Sequence, residues 1–151
     1  MTTQINTLNK IFNKLILPLE EKIAMHPVWE GKRSGDPLWQ IGHAAFDTMQ
    51  ALILPFNPQY ESCEKFKEQF SGKNANAPWS GSKPIFKDVR DLWSNILRDI
   101  RAVEKYNPHD LLPSPIIFAA YTVHNVGEAL DYSLFHTSFH FGRAYEILGD
   151  S

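Results

Sequence analysis

Between Thr7 and Ala24, the apolar residues Leu8, Ile11, Phe12, Leu15, Leu19 and Ile23 recur every three or four positions. This is the stripe of an amphipathic helix. Pro18 lies inside it and, having no backbone N–H, predicts a kink. Met25 to Gly35 holds Pro27, Gly31 and Gly35 and reads as a loop. A second helix is expected from Asp36-Pro37, because a carboxylate accepts the free N–H groups of a first turn and proline is tolerated at its first position. Leu38, Ile41, Ala45, Met49 and Leu52 line one side of it, and Pro55 ends it near Leu54, since the residue before a proline avoids helical geometry.

Ser82 to Tyr106 carries Ile85, Val89, Leu92, Trp93, Ile96, Leu97, Ile100 and Val103 in one helical phase, and Asn107-Pro108 terminates it. A last helix runs from Val126 to about Leu148. Asn125-x-x-Glu128 is its capping box and Gly149 its stop. Residues 55 to 83 carry Pro55, Pro58, Gly72, Asn74, Asn76, Pro78 and Gly81, with only Glu61 to Phe70 able to form a short helix. A connection this long tends to be a lid or binding loop. Trp79 within it is costly to leave in water, so the linker from Phe56 to Lys83 is expected to fold back and shape a pocket mouth. Ile116 to Val123 is an apolar, partly β-branched run that suits either a helix or an extended segment. Four helices without a convincing strand set predict an all-α fold, a four-helix bundle forming one domain over residues 1–151 with a long connection between helices 2 and 3. Bundles build their sites from side chains on facing helices.

Composition narrows the function classes. The chain has 151 residues, 15 Lys plus Arg against 17 Asp plus Glu, and a formal charge of -2. No basic block supplies the footprint that phosphate backbones require, so nucleic acid is excluded as an expected partner. One cysteine, Cys63, allows neither an internal disulfide nor a cysteine zinc site and points to a reducing compartment. The start MTTQINTLNK lacks the apolar core of a signal peptide, and no apolar run is long enough for a membrane span. The expectation is a soluble cytoplasmic protein without a membrane partner. Aromatic residues make up 13% of the chain, which suggests either thick packing or a pocket lined by rings.

The candidate chemistry lies in the histidines. His136 and His140 are four apart on the last helix, so both imidazoles project from one face and can chelate one ion. Their neighbours Phe135, Phe139 and Ile147 suggest a buried helix, where unpaired imidazoles would be costly. Packing or a surface position is the alternative. A third ligand must come from a facing helix, and His43 is the one histidine inside another predicted helix. Gly42 beside it costs about 1 kcal/mol relative to alanine, which implies close approach of another backbone. Gly142, two residues after His140, poses the same question. His26, His109 and His124 fall in turns or before a cap and read as structural.

The residues three before the six histidines are Ile23, Gln40, Tyr106, Tyr121, Ser133 and Thr137. This excludes the Glu-x-x-His pattern of carboxylate-bridged di-iron bundles. Thr137 likewise stands where a His-Glu-x-x-His protease has its glutamate. Asp47, one turn after His43, is a candidate ligand or a group orienting an imidazole, against an ordinary exposed aspartate. Arg143, one turn past His140, is a candidate contact for an anionic substrate, against a surface ion pair. Tyr132, one turn before His136, is a candidate donor to a metal-bound ligand, against core packing. Nothing near Cys63 activates it as a nucleophile.

Trp39-Gln-Ile-Gly-His43 and the closing FHTSFHFGRAYEILG, on either side of a long second connection, resemble the DinB-like superfamily of metal-binding four-helix bundles. Its members carry W-x-x-G-H on the second helix and H-x-x-x-H-x-G-Q on the fourth. The likeness covers nearly the whole chain in layout and about twenty residues in motif. It implies metal ligands at His43, His136 and His140, with Gly142 matching the family glycine. Arg143 departs from the pattern, standing where the family usually has glutamine. Relatives with known activity include bacterial thiol-dependent S-transferases that use bacillithiol or mycothiol, and a mycothiol-dependent maleylpyruvate isomerase. The founding name comes from damage induction in bacteria.

Two function classes follow. In the first, three neutral imidazoles hold a divalent ion with its charge intact. A bound low-molecular-weight thiol then loses its proton near neutral pH and attacks an electrophile. Nickel or zinc is the first choice of ion, with iron or manganese next. In the second, the ion ties the second and fourth helices in a non-catalytic, stress-associated interaction protein. Haem is excluded, because two histidines on one helix face cannot lie on opposite sides of a porphyrin. A homodimer is left open, as are the thiol, the electrophile and the native metal.

Overall fold

Pro18 sets the course of the first helical stretch. The computed structural model describes residues 2–27 and 29–149, apart from the side chains of Thr2, Ser62, Cys63 and Lys65, so the reading of the Cys63 thiol lies outside the described atoms. Helix α1 (Thr2–Ile11) widens into a π turn over Phe12–Ile16, tightens into a 3-10 turn over Leu17–Leu19 around Pro18, and resumes as α2 (Glu20–Met25). A missing N–H inside a helix produces this kind of irregularity.

Asp36 caps α3 (Pro37–Leu52), its carboxylate accepting from the Leu38 N–H at 2.9 Å. Apart from Gln50, every residue of α3 is buried. The predicted one-sided stripe understates it: α3 is the central helix, enclosed on all sides. The linker contributes the short α4 (Ser62–Phe70), as expected. Helix α5 (Phe86–Asp99) begins four residues later than predicted and continues as a 3-10 helix over Ile100–Lys105. Its Trp93 is fully buried and donates from Nε1 to the Ile41 carbonyl of α3 at 3.0 Å.

The all-α expectation holds for most of the chain, and the exception is a small hairpin after α5. Strands β1 (Leu111–Phe118) and β2 (Tyr121–Asn125) form an antiparallel hairpin pairing Ile116 with Val123, Ile117 with Thr122 and Phe118 with Tyr121. The ladder is irregular between Leu111 and Ile116, where Pro113 and Pro115 lie. Proline, lacking an N–H, is tolerated only at such breaks or edges. The last helix, α6 (Val126–Ile147), starts where predicted. Its cap is spread over one more residue than a capping box: Asn125 Oδ1 accepts from the Glu128 N–H at 2.8 Å, while Glu128 Oε2 accepts from the His124 N–H at 2.7 Å. The molecule is mostly helical. The long helical stretches α1–α2, α3, α5 and α6 surround one core, and the hairpin and α4 make this something other than a plain four-helix bundle. Among the described residues, no helix is long and apolar enough to cross a membrane.

Two glycine expectations need correction. A Cβ on Gly42 would run into the ring of Phe70, so a side chain, not a backbone, approaches there. Gly142 has nothing within 4 Å of the Cβ position. We therefore expect opposite effects of the same substitution. Gly42→Ala should lower unfolding stability by about 1–3 kcal/mol, because the fully buried Phe70 cannot step aside. Gly142→Ala should raise it by about 0.5–1 kcal/mol, the ordinary gain in an exposed helix interior. Urea unfolding of the two variants checks both signs.

Candidate metal centre

Small residues bring α3 and α6 close enough for their histidines to meet. Ala44, Ala45 and Thr48 on α3, and Ala129, Ser133, Thr137 and Ala144 on α6, are all buried. The Thr48 and Thr137 hydroxyls are 3.4 Å apart. Interaxial distance follows the size of the side chains at the contact, so this seam sets the separation of the rings above it. The predicted burial of α6 around Phe135 and Phe139 is wrong: these rings are 72% and 54% exposed. Burial of the histidines comes from the α3 side instead.

His43, His136 and His140 converge, each offering one ring nitrogen, with all three within 4.8 Å of one another. His136 Nε2 and His140 Nε2 are 3.0 Å apart. Nitrogens bound at about 2.0–2.1 Å to one ion lie roughly 3.0–3.4 Å apart, so this pair is already at a chelating separation. Hydrogen bonds on the far side of two rings fix their tautomers. His43 Nδ1 donates to the Phe70 carbonyl at 2.8 Å. His140 Nδ1 donates to Gln40 Oε1 at 2.6 Å. The Gln40 amide is oriented in turn because its Nε2 donates to the Ser34 carbonyl at 2.6 Å. Both rings thus turn an Nε2 lone pair inward, the arrangement in which an outer partner prepares a histidine for a metal. His136 differs, with a buried Nδ1 that has no partner among the described residues. Trp39 stacks flat on His43, centroids 4.5 Å apart at 7°.

Asp47 completes the donor set. Its Oδ2 is 3.5 Å from His43 Nε2 and 3.2 Å from His136 Nε2, and accepts from the Tyr132 hydroxyl at 3.3 Å. Burial pushes the Asp47 pKa up, against the opposing pull of His43 and of the Tyr132 hydrogen bond. Burial pushes Tyr132 up as well, helped by the Asp47 charge. His136 is pushed down to about 3, by burial first and then by the His43 charge. His140 is pushed down to about 2, by burial and then by His136, His43 and Arg143. The three histidines could hold a metal ion, and the Asp47 carboxylate lies beside two of them. The residues fit the ion that the sequence resemblance implies: His43, His136 and His140 would hold a cation through their converging nitrogens, and the His136 proton would then have its unpartnered Nδ1 to occupy.

The linker braces this arrangement. Arg33, 2% exposed, donates to the carbonyls of Pro78 at 3.0 Å and Glu68 at 2.5 Å and pairs with the Glu68 carboxylate at 2.8 Å. The end of α4 is thereby held where the next carbonyl but one, that of Phe70, meets His43. Trp79 packs edge-on against Phe70 and donates to Asp36 Oδ2 at 2.9 Å. It therefore stands one ring behind the centre, braced on Phe70. Arg143 lies at the exposed rim, its guanidinium 2.7 Å from Glu146. His109 and His124 are exposed and His26 is half-buried in its loop.

Sequence reasoning missed Gln40, Trp39 and the Phe70 carbonyl. Gln40 had a signal, since it lies one turn before His43 on the same helix. A backbone carbonyl from the linker has none. The chain matches no family model and no curated protein in sequence.

Metal-free protein should lose stability as pH falls. Folded His136 and His140 have pKa values below the 6.5 of the free side chain. Their contribution is therefore complete above about pH 6.5, and it declines below that as the unfolded chain takes up protons that the folded chain refuses. Each adds a slope of up to about 1.4 kcal/mol per pH unit. Asp47, with its raised pKa, acts in the opposite sense. Urea unfolding between pH 7.5 and 5, in chelator, should show a slope that His140→Leu reduces by about half.

Proposed function

We propose that this chain is a DinB-like, divalent-metal-dependent enzyme that transfers an electrophilic group to a low-molecular-weight thiol. His43, His136 and His140 are the metal ligands in this reading. The observation that carries it is the convergence of three ring nitrogens, with the Nε2 lone pairs of His43 and His140 turned inward because Phe70 and Gln40 accept from Nδ1. A bound divalent ion with neutral imidazole ligands keeps its full charge and lowers the pKa of a thiol or water beside it. Nickel or zinc suits three imidazoles, with iron or manganese next.

The chain's own contribution is to orient and to move a proton. Asp47 Oδ2, steadied by Tyr132, is the base placed to take the thiol proton. In the transfer, the sulfur electron pair forms a bond to the electrophilic carbon, and the leaving group departs with the electron pair of its own bond to that carbon. A second reading has one observation in its favour. Asp47 lies so close to two of the histidines that it could close the coordination shell, as structural sites do. The protein would then be a metal-tied, stress-associated interaction module without turnover.

Calorimetric titration of chelator-stripped protein with nickel and zinc, followed by turnover of 1-chloro-2,4-dinitrobenzene with a panel of bacterial thiols, separates these readings. His140→Ala should abolish metal retention and turnover together. Asp47→Asn should weaken metal binding by about 10–100-fold if Asp47 is a ligand or orients one. If Asp47 is only the base, the metal should stay bound while turnover falls. Arg143→Ala should leave metal retention unchanged. Tight metal binding with no thiol-dependent turnover favours the second reading, and failure to bind either ion removes both.

A further inference from the structure

We infer that the hollow bounded by Tyr121, Asp131, Tyr132 and Phe135 is a binding site for an aromatic, non-anionic group of a small molecule, held beside the three histidines. This deepens the catalytic reading above by naming the substrate class, and it rests on that reading only for its link to turnover. The hollow has a volume of about 360 Å³, within the range of small-molecule pockets. Its walls are almost wholly apolar side chain, although it opens to water. Phe135 is 72% exposed and Tyr121 48% exposed, a cost in water that a bound ring would remove.

Tyr132 joins the hollow to the histidine cluster. Its ring stacks on His136 with centroids 5.1 Å apart at 21°, and its hydroxyl bonds Asp47. A group seated against Tyr132 is therefore one ring away from a metal ligand. Phe118 backs Tyr132 from the hairpin, centroids 4.1 Å apart, and Tyr121 lies parallel to Tyr132 at 6.1 Å. Strand β2 and helix α6 thus build the hollow together. Periodicity separates the two jobs on α6: Asp131 and Phe135 form one stripe, and Tyr132, His136 and His140 the next.

Charge selects the occupant. Among the described residues, Asp131 is the one charged residue lining the hollow, its Oδ1 accepting from the Gln4 amide at 3.2 Å, and ring faces carry negative potential that attracts cations. None of the described residues lining it is a cation that could receive a carboxylate, so neutral or cationic aromatic groups fit and anionic ones do not. The aromatic content of the sequence, which suits either thick packing or a pocket lined by rings, finds part of its use here.

Three naphthalenes of equal ring size test this by fluorescence titration: 1-naphthylmethylammonium, 1-naphthalenemethanol and 1-naphthoate. The cation and the alcohol should bind in the presence or absence of metal, with naphthoate about tenfold weaker or more. Phe135→Ala and Tyr121→Ala should each weaken the first two by about tenfold. Both side chains are largely exposed, so these variants keep the fold, and nickel titration of each should match the parent. Asp131→Asn should shrink the difference between cation and anion. Absence of binding, equal binding of naphthoate, or indifference to both alanine variants overturns the inference. So does sedimentation showing that Phe135→Ala dissociates a dimer whose monomers bind no probe, since the aromatic face would then be a contact between copies. Loss of metal binding with naphthyl binding intact would instead remove only the metal reading.

Discussion

The bond from His43 Nδ1 to the Phe70 carbonyl ties the linker to the central helix, and the centre depends on it. Without it, His43 loses the acceptor that turns its Nε2 inward, and α4 loses its direct tie to the histidines. Two packing features make the bond available. Gly42 leaves the space that the Phe70 ring fills, and Arg33 gathers the carbonyls of α4 and the following loop around one buried guanidinium. A buried charge is tolerable only when paired and fully hydrogen-bonded, and Arg33 meets that condition. Gly72, next in the chain after Ser71, passes within van der Waals distance of the His43 ring, since a Cβ there would lie 3.5 Å from Cε1. The linker is thus part of the wall around the histidines.

Long amphipathic segments were legible in the sequence because their information is repeated every turn. The stripes of α1 and α5 and the Asp36-Pro37 start were readable for that reason. The hairpin was not, because its turn, Ala119-Ala120, has none of the Gly, Asn or Asp residues that mark tight turns. Ala119 adopts a φ of 50°, a conformation its side chain gives no notice of. The approach of the three histidines followed from spacing and from counting helices. Their environment did not. Phe135 and Phe139 were read as burying α6, yet they face outward, because apolar residues at a site mouth and in a core look alike along the chain.

Asp47 shows why the centre admits both a structural and a catalytic reading. Its carboxylate faces two histidines, accepts from Tyr132 and is held above its usual pKa by burial. As a ligand it would close the shell. As a proton acceptor it needs only to stay near the shell, and its raised pKa makes it a better base than an exposed aspartate. The deciding difference is whether the ion draws Oδ2 inward or leaves it bound to Tyr132.

The same cluster is a burden on the fold when empty of cations. Three converging imidazoles, an orphaned His136 Nδ1 and a buried carboxylate are costlier to bury than apolar residues of the same volume would be. The α3–α6 seam of alanines and threonines could close as well over leucine as over histidine. A local arrangement that opposes folding while everything around it favours folding marks a functional site. A bound cation would reverse the sign: the converging ring nitrogens would coordinate it, and binding would then be coupled to folding. The stability lost by assembling the three rings in advance would be regained in such a complex.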